Sequence, residues 1–185
     1  MKELSLNILD IAQNSIKAGA ANVGIYIKET DDELSFEITD DGCGMTREFL
    51  ENVTNPFTTT RTTRKVGLGL PLLKMEAEMA GGKFEISSKS EKESSEHGTR
   101  VFASFCKTNI DFIPLGDIIG SLCILIQGAG NIEFDFSHEM PEGKVTLSTK
   151  ELRAVLGDDV PLGSPEVLAW VRDYLKESYQ SPGSV

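Results

Sequence analysis

The chain is poor in the residues that carry metal, redox and nucleic-acid chemistry. Its 185 residues include three cysteines, two histidines and one tryptophan. Cys43, Cys106 and Cys123 are an odd set without paired metal spacing. That excludes a zinc knuckle or a disulfide framework and reads as free thiols in a reducing compartment. Basic residues number 18 against 29 acidic ones, a net charge of −11 and a pI near 4.7. Such a balance argues against a general nucleic-acid-binding surface. Long apolar runs are missing too. The most apolar stretch, residues 118–126, falls well short of the ~20 residues needed to span a bilayer. Met1-Lys2-Glu3-Leu4 lacks the apolar centre of a secretory signal. A cytoplasmic protein without membrane or nucleic-acid partners is the expectation.

The remaining composition, 39% hydrophobic and 25% charged, suits a globular fold, and the length allows one domain with a real core or one domain plus a small appendage. Charge divides unevenly. Residues 1–108 hold 13 basic and 17 acidic groups, whereas 109–185 hold 5 and 12. That acidity reads either as a matter of solubility alone or as a surface on which a basic partner docks.

Periodicity assigns the elements. Leu4, Ile8, Ile11, Ala12 and Ile16 recur at helical spacing and predict a helix over 4–18, stopped by Gly19. Residues 22–28 and 34–39 read as an antiparallel hairpin. Thr46 is placed to cap a short helix over 47–52. A helix runs from Gly67-Leu68-Gly69-Leu70 to Ala80, followed by strands over 83–88 and 99–106. Beyond Lys107 the pattern predicts an apolar helix over 114–127, strands over 131–137 and 144–148, and a helix over 150–156. Ser148 and Glu151 have the spacing of a capping box for that helix. A last helix starts at Ser164-Pro165-Glu166. Residues 55–66 bury no face; 58–65 are locally +3, which suits a plain surface loop or a lid that closes over phosphates.

The stretch Phe36-Glu37-Ile38-Thr39-Asp40-Asp41-Gly42-Cys43-Gly44 reads as a strand that runs into an acidic glycine turn. A carboxylate at such an edge can accept a hydrogen bond from an exocyclic amine, and glycines let a flat ligand approach the backbone. Asp41, one residue on, reads as solvated. On the first helix Asp10, Asn14 and Lys17 stack on roughly one face, which reads as a solvated polar face or as part of a site; asparagine, a poor interior helix former, favours the latter at Asn14. Gly67 and Gly69 open a helix N-terminus, where free backbone N–H groups suit an anion.

Four signals then fall in one order: Asp10-x3-Asn14-Ser15-x-Lys17, Asp40-x-Gly42-x-Gly44, Gly67-Leu68-Gly69-Leu70 and Gly98-Thr99. The series resembles the N, G1, G2 and G3 boxes of the GHKL ATPase superfamily, which includes gyrase, the heat-shock chaperone, histidine kinases and MutL-type proteins. Asn55-Pro56-Phe57-Thr58-Thr59-Thr60-Arg61 resembles the F-box segment of histidine kinases. The resemblance covers residues 1–108. It implies an α/β (α+β) two-layer sandwich of Bergerat type, a mixed and mostly antiparallel sheet covered by helices on one face. Residues 109–185 would form a small α+β extension for packing or partner binding.

The resemblance also implies roles, with ATP and Mg²⁺ as cofactors. Asn14 would ligate Mg²⁺, and Asp40 would accept from the adenine amino group. Gly42 and Gly44 would give the base room. Gly67, Leu68 and Gly69 would free backbone for the phosphates, and Lys17 stands where histidine kinases place a phosphate-binding lysine. Thr99 would hold the adenine edge through water. Arg61, Arg64 and Lys65 are candidate lid cations. Asp10 occupies the position of the glutamate general base in hydrolysing members; the alternative is that it orders Mg²⁺-bound water.

Function stays open among three readings. The chain hydrolyses ATP slowly or transfers phosphate to a partner protein; it is an ATP-gated switch without catalysis; or it is a MutL-like clamp, against which its acidity and length count. A homodimer is compatible with each. No phosphoacceptor helix precedes the ATPase-like part, so a stand-alone member is expected. Ser137-His138-Glu139-Met140-Pro141 superficially resembles a kinase histidine box. It lies in a strand-to-turn context, one residue short before the proline, and reads as coincidence.

Overall fold

A computed structural model describes residues 3–54, 68–128, 130–157 and 159–182. Its centre is a six-stranded sheet in the order β3-β4-β2-β1-β5-β6. The strands are β1 (Asn22–Glu29), β2 (Glu33–Asp40), β3 (Phe84–Lys89), β4 (Gly98–Cys106), β5 (Glu133–Met140) and β6 (Gly143–Ser148). Neighbours are antiparallel except β1 and β5, which run parallel with Ile25 opposite Phe136. The sheet is therefore mixed and mostly antiparallel, and β5 and β6 extend it past β1 without a break.

Strand alternation explains why helices cover one face. Val23, Ile25 and Ile27 of β1, Leu34, Phe36 and Ile38 of β2, and Val101, Ala103 and Phe105 of β4 point inward and are buried. Tyr26, Glu37 and Arg100 emerge on the opposite face, where Arg100 Nε donates to Glu37 Oε2 at 2.8 Å. The covering helices are α1 (Leu4–Lys17), α3 (Gly69–Met79), α4 (Ile118–Gly128) and α6 (Pro165–Gln180); α1 packs on both α3 and α4, and α4 on α6. The short α2 (Arg47–Asn52) lies by β3, and α5 (Thr149–Leu156) by β5. Leu4, Ile8, Ile11 and Ala12 bury the inner stripe of α1 as the spacing predicts. Thr46 Oγ1 accepts from Phe49 N and caps α2.

Three local expectations are corrected. The apolar helix starts at Ile118, not at 114. The carbonyls of Pro114 and Leu115 instead accept from Leu4 N and Ser5 N at 2.9 and 2.8 Å, satisfying donors that α1 cannot satisfy internally. The capping box at Ser148 does not form its side-chain bond. Thr149, the first residue of α5, is buried in its place; its hydroxyl accepts from Phe134 N at 2.7 Å and donates to Glu133 Oε2 at 2.6 Å. Finally, β5 runs to Met140, so His138 sits within a paired strand opposite Val145, not at a turn. It is buried, with Nδ1 2.9 Å from the Tyr179 hydroxyl and Nε2 3.4 Å from Glu29 Oε2. Burial pulls its pKa below the ordinary histidine value, against the weaker opposing pull of the Glu29 charge.

Candidate functional site

The end of β2 and the start of β4 form a corner against the C-terminal turn of α1. Asp40 lies opposite Thr99 in the ladder, so its carboxylate stands at the sheet edge between two elements. Three donors fix it. Ser15 of α1 donates its hydroxyl to Oδ2 at 2.6 Å. Gly42 N and Thr99 N donate to Oδ1 at 3.0 and 3.2 Å. A carboxylate offers about four acceptor directions, so an orientation held by three donors still leaves room for a further one.

The turn after Asp40 is built by close backbone approach. Gly42 is buried, and a β-carbon there would stand 3.0 Å from that of Ala18. Gly44 has φ +62, and a β-carbon on it would run into the carbonyl oxygen of Lys89. Both glycines thus let the turn lie against α1 and β3, a packing reason added to the space for a flat base that the motif suggested. Cys43 ties the turn down: its N donates to Ala18 O at 2.9 Å and its O accepts from Glu91 N at 3.0 Å.

Asp10 and Asn14 lie one turn apart on α1, and Lys17 follows at its last residue. Asp10 is half-buried; Asn14 and Lys17 are exposed. Asp10 reaches α3, since a β-carbon on Gly69 would overlap Asp10 Oδ2. Its carboxylate therefore faces the first residue of α3, whose N-cap, Leu68, supplies no capping side chain. The positive end of that helix, with the backbone N–H groups of Gly69 and Leu70, thus lies beside an acidic group. Asp10 and Asn14 together offer a carboxylate and an amide oxygen, hard donors of the kind that hold Mg²⁺ jointly with phosphate oxygens and water. The structure thus gathers Asp40, Gly42, Gly44 and Thr99 at one corner, and Asp10, Leu68 and Gly69 at the α1–α3 junction. Arg61, Arg64, Lys65, Gly67 and the threonine-rich segment lie outside the described residues.

Several residues at the corner went unassigned or misread in the sequence. Ser15 sat inside the first motif without a role. Ser88 donates to Gly98 O at 2.8 Å, accepts from Met45 N at 2.8 Å and meets Thr99 Oγ1 at 3.0 Å. The Thr99 hydroxyl is thus engaged with Ser88, and its backbone N–H reaches Asp40. His97 Nδ1 lies 2.6 Å from Gly42 O, a contact in which the ring nitrogen must donate. Asp41 is not merely solvated. Its carboxylate accepts from Ala21 N at 2.7 Å and from Asn22 N and Nδ2 at 2.9 and 2.7 Å. Partial burial opposes its ionisation, but these donors outweigh it and hold its pKa below the ordinary carboxylate value. No periodicity signals these contacts, which join residues far apart in the chain.

The two-layer sandwich and its carboxylate–glycine corner define a nucleotide-binding ATPase-type fold. The chain belongs to the family described as histidine kinase-, DNA gyrase B- and HSP90-like ATPase, whose model matches residues 2–109. It is 34% identical over 95 residues to the sensor protein KdpD of Clostridium acetobutylicum, a match over 48% of this chain and 10% of that protein. Among solved structures, the N-terminal domain of a DNA repair protein is similar at TM-score 0.58 and 18% identity, covering 85% of this chain and 58% of that one. The Aquifex aeolicus MutL ATPase domain complexed with ADP is similar at TM-score 0.53 and 15% identity, over 84% of this chain and 69% of that one. These two likenesses are of fold. Both extend beyond residue 109 in coverage, in keeping with the unbroken sheet. The chain spans only a tenth of the sensor protein and 58% of the repair-protein domain. No helix among the described residues is long and apolar enough to cross a membrane.

Proposed function

We propose that the chain is a regulatory protein that binds Mg²⁺–ATP at the Asp40 corner and hydrolyses it slowly. The observation that carries this reading is the triple anchoring of Asp40 by Ser15, Gly42 N and Thr99 N. An acceptor held that rigidly at a glycine-lined edge selects a donor, as the adenine amino group is, over the carbonyl that guanine presents there.

The remaining roles follow from position. Asn14 contributes its amide oxygen to Mg²⁺, which when bound neutralises phosphate charge. Lys17 adds a cation at the end of the same helix face. Leu68 and Gly69 present backbone N–H groups to the phosphates, with Gly67 before them and Arg61, Arg64 and Lys65 as lid cations. Asp10, set against Gly69, is the general base that takes a proton from water attacking the terminal phosphate. A second protein is the natural receiver of the nucleotide signal. Transfer of phosphate to such a partner is the alternative fate of the same bound ATP, and a cytoplasmic location suits both.

Incubation with γ-labelled ATP tests the reading. Labelled phosphate released by the purified chain, and lost in Asp10→Asn, is the expected result. Label that appears on a second protein from a lysate replaces hydrolysis by transfer. ATP that binds and is never consumed would overturn the catalytic half and leave a nucleotide-gated switch. Absence of ATP binding by calorimetry would overturn the site itself.

A further inference from the structure

The end of the sheet distant from the Asp40 corner carries a second concavity. It is an open groove of about 850 Å³ between α5, α6 and the β5–β6 edge. Its apolar lining comes from both helices, with Leu152 and Val155 on α5 and Val167 and Trp170 on α6. Val155 is 84% and Trp170 52% exposed. Trp170 is stacked on Tyr174 with ring centroids 5.3 Å apart, so the indole is held in place, not loose. The volume lies in the range of clefts that enclose most of a bound ligand's surface.

Charge at the groove has one sign. Glu151 and Glu166 line it, and among the described residues no lysine or arginine does. The nearby Arg153 guanidinium is taken up by Glu133, at 2.8 Å. Two helix-borne carboxylates beside a half-exposed tryptophan and a valine favour an occupant that is apolar on one side and cationic at its margins. An added strand is disfavoured at this edge, because the Tyr174 hydroxyl donates to the Thr146 carbonyl of β6 at 3.2 Å. An α-helix that sets its side chains between α5 and α6 meets no such obstacle.

We propose that the α5–α6 groove docks a basic amphipathic helix of a partner protein, with apolar residues at i, i+3 or i+4 and i+7 set against Trp170 and Val155, and lysine or arginine on the flanks facing Glu151 and Glu166. The groove lies apart from the Asp40 corner, so this docking stands whether or not the chain binds ATP.

Trp170 is the only tryptophan in the chain, which makes its fluorescence a direct reporter. The probe is a synthetic tryptophan-free amphipathic peptide of about 18 residues, some five helical turns, with leucines on one face and lysines on the flanks. Titrated into the full-length protein, it should shift Trp170 emission to the blue and saturate. Glu151→Gln with Glu166→Gln should weaken it about fivefold, as should raised salt, since rim pairs contribute modestly. Val155→Asp should abolish the shift while circular dichroism and ATP binding stay unchanged. The proposal is overturned by no shift with the lysine peptide, by equal binding of a twin with glutamate in place of lysine, or by a blue shift that appears on raising protein concentration alone. The last would assign the groove to a second copy of the chain. Saturation by an uncharged apolar dye that the lysine peptide cannot displace would make it a small-molecule site and overturn the proposal as well.

Discussion

The two ends of the sheet solve opposite problems with the same chain. At the Asp40 corner polar groups are held by one another. Ser15, Gly42, Thr99, Ser88 and His97 interlock through hydrogen bonds, and the glycines let backbones touch. At the α5–α6 end the side chains are apolar, half-exposed and rimmed by carboxylates that reach into solvent. The first arrangement is stiff, since each donor has an assigned acceptor, and suits a ligand of fixed hydrogen-bonding pattern. The second has few directional contacts and suits an adaptable apolar surface. In keeping with this contrast, nucleotide selectivity is proposed for the former and protein recognition for the latter.

The sharpest way to break this contrast is to disturb backbone packing at the corner. Gly44→Ala adds a β-carbon at φ +62 against the Lys89 carbonyl, and should cost about 3 kcal/mol or more. A thermal midpoint lower by about 10 °C is expected for a chain of this size, along with loss of ATP binding; an unchanged midpoint would refute the packing account. Asp40→Asn is next. It keeps the shape and one acceptor but loses the charge-assisted bond, and ATP affinity measured by calorimetry should fall about 100-fold. The midpoint should move by only a few degrees. Asp10→Asn should leave affinity within about threefold while phosphate release falls by at least about 100-fold; equal turnover removes Asp10 as the base.

Smaller effects sharpen the comparison from the other side. His138 is buried neutral in β5, with its pKa held below the ordinary 6.5 by burial. Above that value neither state carries the proton, and His138 adds no pH dependence. Below it the unfolded chain binds the proton first, so stability falls with pH down to the folded-state pKa. Denaturant titrations from pH 7 to pH 5 should show that decline, and His138→Gln should flatten it. The smallest effect is expected of Val155→Asp at the exposed groove. Stability should stay within about 0.5 kcal/mol of the parent, and ATP binding should not change.

Legibility followed the range of the interactions. Helical stripes such as Leu4, Ile8 and Ile11 and strand alternation such as Leu34, Phe36 and Ile38 depend on neighbours within a turn or a pleat, and the structure bears them out. The box residues were legible as motifs, because glycine at tight turns and a carboxylate at a strand end are local signals too. Ser15 and Ser88 were invisible, because a serine announces no partner. Asp41 was misread for the same reason, its three donors being 19 and 20 residues back in the chain. The capping box at Ser148 does not form, while the neighbouring Thr149 is tied to Phe134 and Glu133 across the sheet, partners that local spacing does not signal.

The amino-acid sequence alone therefore determined the elements, the order of the four boxes and the family to which they lead. Tertiary structure decided which of two adjacent aspartates is anchored at the sheet edge by Ser15 and Thr99 and which one braces the Ala21–Asn22 turn. It also decided that Asp10 faces Gly69, that β5 joins β1 in parallel, and that α5 and α6 leave an acidic-rimmed groove between them. The physical reason is sequence distance. Thr99 stands 59 residues from the Asp40 it holds, and only a folded sheet brings that amide and that carboxylate within hydrogen-bonding reach.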